Sequence, residues 1–184
     1  MQQTIRLIVR LCLAAIIFAI TAALILTCLS KSIEIAQSEQ NFAQAKKIHL
    51  QSSDKEQLVL LSNNKSPEEA VYIAIAQNGY IAKSNCSHYP EICIDDYNQQ
   101  HTRQIQNIDL LHAGQFHYIQ QVRYTDSRTQ EPKTLNYSAE QIQQFYRADV
   151  SSLKYTLFGI GLFALAAVYV SIRILRNFKT FLGK

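Results

Sequence analysis

His88, His101, His112 and His117 share one stretch of chain with Asp95, Asp96 and Asp109, the residue types from which a metal centre or an acid–base pair is built. Their spacings repeat no metal-ligand pattern, so the expectation is surface or hydrogen-bonded histidines, with no metal and no cofactor. There is no G-x-S-x-G elbow, no H-E-x-x-H pair and no glycine-rich phosphate loop, and five glycines leave little with which to cradle a phosphate. The chain therefore reads as a non-enzyme. The cysteines are more informative. Six residues separate Cys86 from Cys93 in the polar, turn-rich NCSHYPEIC. That suits a loop-closing disulfide in an oxidising compartment, worth about 2–3 kcal/mol through loop-closure entropy. The rival is a metal site of Cys86, His88 and Cys93, which lacks an obvious fourth ligand.

Cys12 and Cys28 lie in another setting, where a thiol behaves as a small apolar residue. Residues 11 to 30 (LCLAAIIFAITAALILTCLS) run for twenty positions without a charge, and residues 155 to 172 (YTLFGIGLFALAAVYVSI) for eighteen. Each is close to the ~20 residues that cross about 30 Å of hydrocarbon as a helix. Ala15, Ala19, Ala23 and Thr27 recur every fourth residue in the first run, and Gly159, Ala167 and Ser171 are the small residues of the second. Small-residue stripes let helix backbones approach closely, so these are the expected helix–helix contacts, between the two spans or with another subunit.

The net charge of +4 conceals a partition. Arg6, Arg10, Arg173, Arg176, Lys179 and Lys184 flank the two apolar runs without an acid among them, while all fourteen Asp and Glu residues lie between the runs. Net positive charge is thus no argument for nucleic acid, which is not expected as a partner; it is the asymmetry of the positive-inside rule. A cleaved signal peptide fits poorly, because the apolar stretch is too long and no A-x-A site follows. Lipidation at Cys28 fits poorly too, because Ile25-Leu26-Thr27 lacks a small residue just before it. The expected organisation is an α+β protein of the inner (plasma) membrane. Residues 1–10 and 174–184 form cytoplasmic tails, 11–30 and 153–173 transmembrane helices, and 31–152 a periplasmic or extracellular domain.

Within that domain, Ile35, Phe42 and Ala45 share a stripe uninterrupted by Pro or Gly, which predicts a long membrane-proximal helix breaking near Ser52-Ser53. Ser53 and Glu56 form a capping box for a second helix through Leu58 to Leu61, and Ser66-Pro67-Glu68-Glu69 is another helix start. VYIAIAQNGYIAKSN, residues 71 to 85, predicts a β-hairpin turning at Asn78-Gly79, with strands near 71–77 and 80–84. In residues 115 to 125, Phe116, Tyr118, Val122 and Tyr124 alternate with His117, Gln121 and Arg123 as in a half-buried strand, with Ile119 out of phase. Residues 133 to 137 form one more strand. Ser138 and Gln141 cap a last helix running into the second span. Residues 101 to 113 fit helix or strand.

A membrane-proximal helix feeding an antiparallel sheet through a strand, Asn-Gly and strand unit resembles the extracytoplasmic PAS-like or Cache sensor domains of bacteria. The stretch VYIAIAQNGYIAKSN carries that likeness. The whole plan, two spans around one such domain, also resembles the bacterial Smp family of haemolysin-like membrane proteins, apart from the short tail after Arg173. Resemblance to a Cache module implies a small ligand over the sheet at Tyr80, Tyr118, Arg123 and Tyr124, with Arg123 able to hold a carboxylate. Read without it, the tyrosines are core and rim residues and Arg123 is solvated. Three N-x-S sequons, at Asn64, Asn85 and Asn136, also permit a glycosylated eukaryotic or viral setting.

The short tails hold no output domain, so the expectation is a partner-dependent role beside the lipid bilayer. The first form is an accessory or structural subunit of an envelope complex, docking other membrane proteins or a second copy of itself as a homodimer. The alternative is a small-molecule-sensing module that signals through another membrane protein.

Overall fold

The computed structural model describes every residue except 1, 64, 67, 68, 94–99, 127, 128 and 184. The Asn64 sequon, Pro67, Glu68, Asp95 and Asp96 thus lie outside the described residues. The architecture is α+β, two long apolar helices with a seven-stranded antiparallel sheet between them in sequence. The chain divides into two compact units, Met1–Gln37 with Asp149–Lys184, and Ser38–Ala148.

The helical unit holds α1 (Gln2–Ala36) and the greater part of a second long helix, which starts at Ala139 and ends at Arg176. Both are long and apolar enough to cross a membrane. Along α1 the residues drawn from the surface include Ala14, Ile17, Thr21, Leu24, Cys28 and Lys31, and along the other helix Leu153, Leu157, Ile160, Ala164, Ala167, Ser171 and Ile174. Steps alternate between three and four, the heptad spacing of helices that pack side by side. The Thr21 and Ser171 hydroxyls lie 2.9 Å apart, both buried. Thr21 spends its proton on the Ile17 carbonyl at 2.7 Å, which leaves Ser171 as the donor between the helices.

The second unit opens with α2 (Ser38–Ala43), followed by β1 (Lys46–Gln51), β2 (Leu58–Asn63), β3 (Ala70–Ile75) and β4 (Gly79–Asn85). A 3-10 turn (Cys86–His88) and α3 (Pro90–Cys93) lead on to β5 (Gln100–Ala113), β6 (Phe116–Thr125), β7 (Pro132–Asn136) and α4 (Ala139–Arg176); α5 (Phe178–Gly183) ends the chain. The sheet order is β4-β3-β2-β5-β6-β7, with β1 also on β5. The fourteen-residue β5 is the spine. One of its edges is taken end to end, Ile48 and Leu50 of β1 facing Leu110 and Ile108, then Val59 to Asn63 of β2 facing Gln104 to Gln100. The Ser84 hydroxyl on β4 donates to the His117 carbonyl on β6 at 2.7 Å, so the sheet curls toward itself. Leu60, Ile73, Ile105, Ile108, Leu110, Ile119 and Val122 fill the enclosed face, and Tyr89, Ile92 and the Cys86–Cys93 disulfide join them.

Several local expectations are corrected. The long membrane-proximal helix ends at Ala36, and after the six residues of α2 the chain becomes strand, because Ile48 and Leu50 gain core partners on β5 that a solvated helix lacks. The Ser53 box does form its bond, the Glu56 N–H donating to Ser53 Oγ at 3.1 Å, but it closes a turn with no helix behind it. Leu58 to Asn63 alternate in burial between β3 and β5. The hairpin forms as β3 and β4, yet its turn is Ala76 to Asn78, with positive φ at Gln77 and Gly79 and not at Asn78. Residues 101 to 113 belong to a strand, β5, joined to β6 at Gly114, whose φ of 61° suits the first position of a two-residue turn. Ile119 is out of phase because the register jumps from Asp109–Gln121 to Leu110–Ile119, so Gln120 bulges and Ile119 regains the face of Val122. The Ser138 capping box forms in full, at 2.8 and 3.2 Å, and its helix runs unbroken to Arg176.

Candidate functional site

The loop closed by Cys86 and Cys93 covers the enclosed face of the sheet. Asn85 caps its first turn, accepting from the Ser87 N–H at 3.0 Å, and Pro90 opens α3 where a missing N–H is harmless. Tyr89 and Ile92 are fully buried by this loop. The Ile92 carbonyl, near the end of α3, accepts from Arg103 Nη1 at 3.0 Å.

Arg103 comes from β5, opposite Leu60, and so points into the enclosed face, where it is 5% exposed. Its guanidinium carbon lies 5.6 Å from the centroid of the Tyr124 ring, carried inward by β6 opposite Ile105. Among the described residues no carboxylate pairs with Arg103: Asp126 is bonded to Lys133 at 2.9 Å, and Glu91 is exposed. Among the described residues this deeply placed cation meets one carbonyl and one ring face, a small return for the solvation it loses.

Two phenols complete the cluster. Burial pushes the Tyr124 hydroxyl up, while Arg103 and then Lys133 pull it back. Tyr137 is pushed up to about 12, first by burial and then by Glu91 and Tyr124. Its ring is wedged against Tyr89, with centroids 5.1 Å apart, and its hydroxyl is buried with no hydrogen-bond partner among the described residues. At neutral pH the cluster is a set of donors, a guanidinium and two protonated phenols.

Of the four residues that a Cache likeness would assign to a ligand, only Tyr124 lies here. Tyr80 is 70% exposed beside Tyr72, and Arg123 is exposed. Tyr118 is buried but packs on Phe116, His88 and Tyr146. Arg103 was missed; the available signal was that it falls in phase with Ile105 on what proved to be a strand. In the helical unit Ala15, Ala19, Ala23 and Thr27 are exposed on the side of α1 away from the seam, with the Thr27 hydroxyl donating to the Ala23 carbonyl at 2.9 Å. Gly159 and Ala167 are half-buried and Ser171 is buried.

Among the described residues no three His, Cys, Asp or Glu side chains gather to hold a metal. His88 stacks on Phe145, His112 on His117, and His49 pairs with Asp109. Burial, and then His112, lowers the His117 pKa. An open groove of about 460 Å³ lies where β1 gives way to β2. Gln51, Ser52, Asp54, Gln57, Gln106 and Thr125 line it, a neutral hydrogen-bonding surface whose side chains are mostly exposed. Compared with known proteins, the chain matches no family model, no curated protein and no solved structure.

Proposed function

We propose that this chain is a two-span, non-enzymatic membrane protein with both termini in the cytoplasm and its sheet domain on the oxidising side. It serves there as an accessory, partner-binding subunit of an envelope membrane complex. The observation that carries the membrane reading is the outward face of the long helices. Only 11% and 17% of their most apolar windows are buried, and Phe158, Phe163 and Leu165 stand outward. Water does not tolerate such a surface, whereas hydrocarbon does. The disulfide and the flanking basic residues support the orientation. The outward stripe of Ala15, Ala19, Ala23 and Thr27 supports contact with a further transmembrane helix, since the intramolecular seam uses other residues.

A membrane-impermeant maleimide added to sealed cells should label Tyr80→Cys, an exposed position on β4, and should reach Lys179→Cys only once the membrane is opened. The reverse pattern overturns the orientation. Purification in a gentle detergent should yield a second protein, or a second copy, in stoichiometric amount; a single chain alone would sink the subunit reading. A sensing module that signals through another membrane protein is the second reading, and the buried guanidinium of Arg103 is what favours it.

A further inference from the structure

The last turns of α4 carry two arginines on their outward side. Arg173 and Arg176 are both exposed and stand about 4.5 Å apart along the axis, three residues at 1.5 Å each. With Tyr169, Ile172 and Asn177 they line an open concavity of about 400 Å³. At about 100° per residue this face is opposite the seam, which uses Ala164, Ala167, Ser171 and Ile174. Toward the middle of the helix the same stripe continues through Leu165, Leu162 and Phe158, all exposed. Past Asn177 the chain turns into α5, which lies beside α1 and leaves the two arginines uncovered among the described residues. No Asp or Glu occurs in residues 1–33 or 150–184. With two spans, every acidic side chain therefore lies toward the opposite face of the bilayer.

We propose that this concavity holds the phosphate of an anionic phospholipid in the leaflet it faces, with Arg173 and Arg176 on the headgroup and Leu165 and Leu162 along the acyl chain. A guanidinium fork meets phosphate oxygens in two parallel hydrogen bonds, and two forks on one helix face can share one phosphate. Asn177 adds an amide donor, and Tyr169 an aromatic wall at the depth where such rings settle. Helical side chains lean toward the helix N-terminus, here toward the hydrocarbon, so both arginines lean back to the headgroup layer and not out into water. The apolar stripe selects a lipid over free phosphate, because a soluble anion leaves Leu165 and Leu162 without a part. A zwitterionic headgroup fits worse, since its own ammonium is repelled by the arginines. The C-terminal end of α4 opposes an anion with about half a charge, so a single arginine is partly cancelled and the pair is needed. The inference rests on the two-span reading and is independent of the subunit role.

The chain contains no tryptophan, so Leu165→Trp gives a single reporter on the stripe, and Phe163→Trp, exposed on another face, gives its control. The full chain, with a neutral peptide after Lys184 so that no terminal carboxylate competes, is placed in phosphatidylcholine vesicles. These hold a minor share of brominated phosphatidylglycerol or, separately, of brominated phosphatidylcholine, and salt at about 0.15 M screens diffuse attraction. The reporter at 165 should be quenched as though phosphatidylglycerol were enriched about tenfold beside it, and the control at 163 should show little preference. Arg173→Gln with Arg176→Gln should abolish the preference. Arg173→Lys with Arg176→Lys, which keeps the charge without the fork, should lose most of it. The proposal fails if both lipids quench position 165 equally, if position 163 shows the same preference, or if the lysine pair retains it in full, for then a diffuse surface field is enough. It fails equally if glycerol phosphate in the buffer removes the preference, since the site then takes free phosphate. If neither brominated lipid quenches either reporter, the helices lie outside the bilayer and the two-span reading falls with the site; quenching without preference sinks the site alone.

Discussion

Replacing Tyr89 by Phe removes one oxygen from the interior. That oxygen accepts the Ile119 N–H at 2.8 Å, at the point where β6 bulges at Gln120 and the ladder with β5 is interrupted. Tyr89 is fully buried, so water has no route to replace the lost acceptor. The ring stays, and with it the edge contacts to Tyr137 and Phe145. The loss is therefore a hydrogen bond together with an orphaned amide, about 2 kcal/mol. It should lower the unfolding midpoint of the detergent-solubilised protein by roughly 8 °C. Hydrogen exchange supplies the local readout: the Ile119 amide should exchange about 30-fold faster, since 1.4 kcal/mol is a factor of ten. Ser84→Ala is the control. It takes one donor from the His117 carbonyl, whose second lone pair stays available, and should cost about 1 kcal/mol or less. If Tyr89→Phe changes stability by less than about 0.5 kcal/mol and leaves Ile119 exchange unaltered, the bulge does not depend on this phenol.

Cys86→Ser with Cys93→Ser should cost about 2.5 kcal/mol, from closure of a loop with a sequence separation of 7, and reductant should impose the same loss on the wild type in denaturant titrations. Thr21→Val and Ser171→Ala, alone and together, should give a coupling of about 0.6 kcal/mol in a double-mutant cycle read by denaturing-detergent titration; zero coupling would mean that the hydroxyl pair is passive. Tyr137 has a folded-state pKa raised to about 12, so its neutral form is favoured by the fold. Its contribution is fully present below an unfolded value of about 10 and is lost as pH rises toward the folded value, so alkaline stability should fall across that window. Tyr137→Phe should flatten the fall and remove the latest step of the phenolate absorbance titration.

Where structure is local, the sequence was readable. Ser138 and Gln141 satisfy each other's backbone, and the helix they start has nothing to stop it before Arg176. The β3–β4 hairpin was legible from its apolar alternation, although the turn chose Gln77 and Gly79 for its positive φ angles over Asn78. Where structure is long-range, reading failed for a physical reason. The Ser53 box makes the same hydrogen bond in a turn as in a helix, and only pairing with β3 and β5 decides that Leu58 begins a strand. Lys46 to Gln51 look helical until β5 is placed beside them. The α1 side of the helix seam was hidden because every position in an apolar span is permitted to face a neighbour; Thr21, opposite Ser171, was its polar trace. Arg103 escaped notice because its inward phase with Ile105 counts only once residues 101 to 113 are known to be a strand paired with β2.

The arrangement of β1 and β2 end to end along β5 also dictates an order of assembly. Lys46 pairs with His112 and Asn63 with Gln100, so both early strands reach their template only after the whole β3, β4 and disulfide segment has been made. Until then β2, β3 and β4 can associate as a meander, while β1 is a strand with no edge to join. Such distant pairing makes folding slow for a domain of this size, because the entropy of closing the loop is lost before any contact offsets it. During synthesis the segment from Lys46 to Gln51 therefore remains exposed longest, and it carries two lysines among its six residues, charges that discourage it from pairing with the wrong chain while it waits.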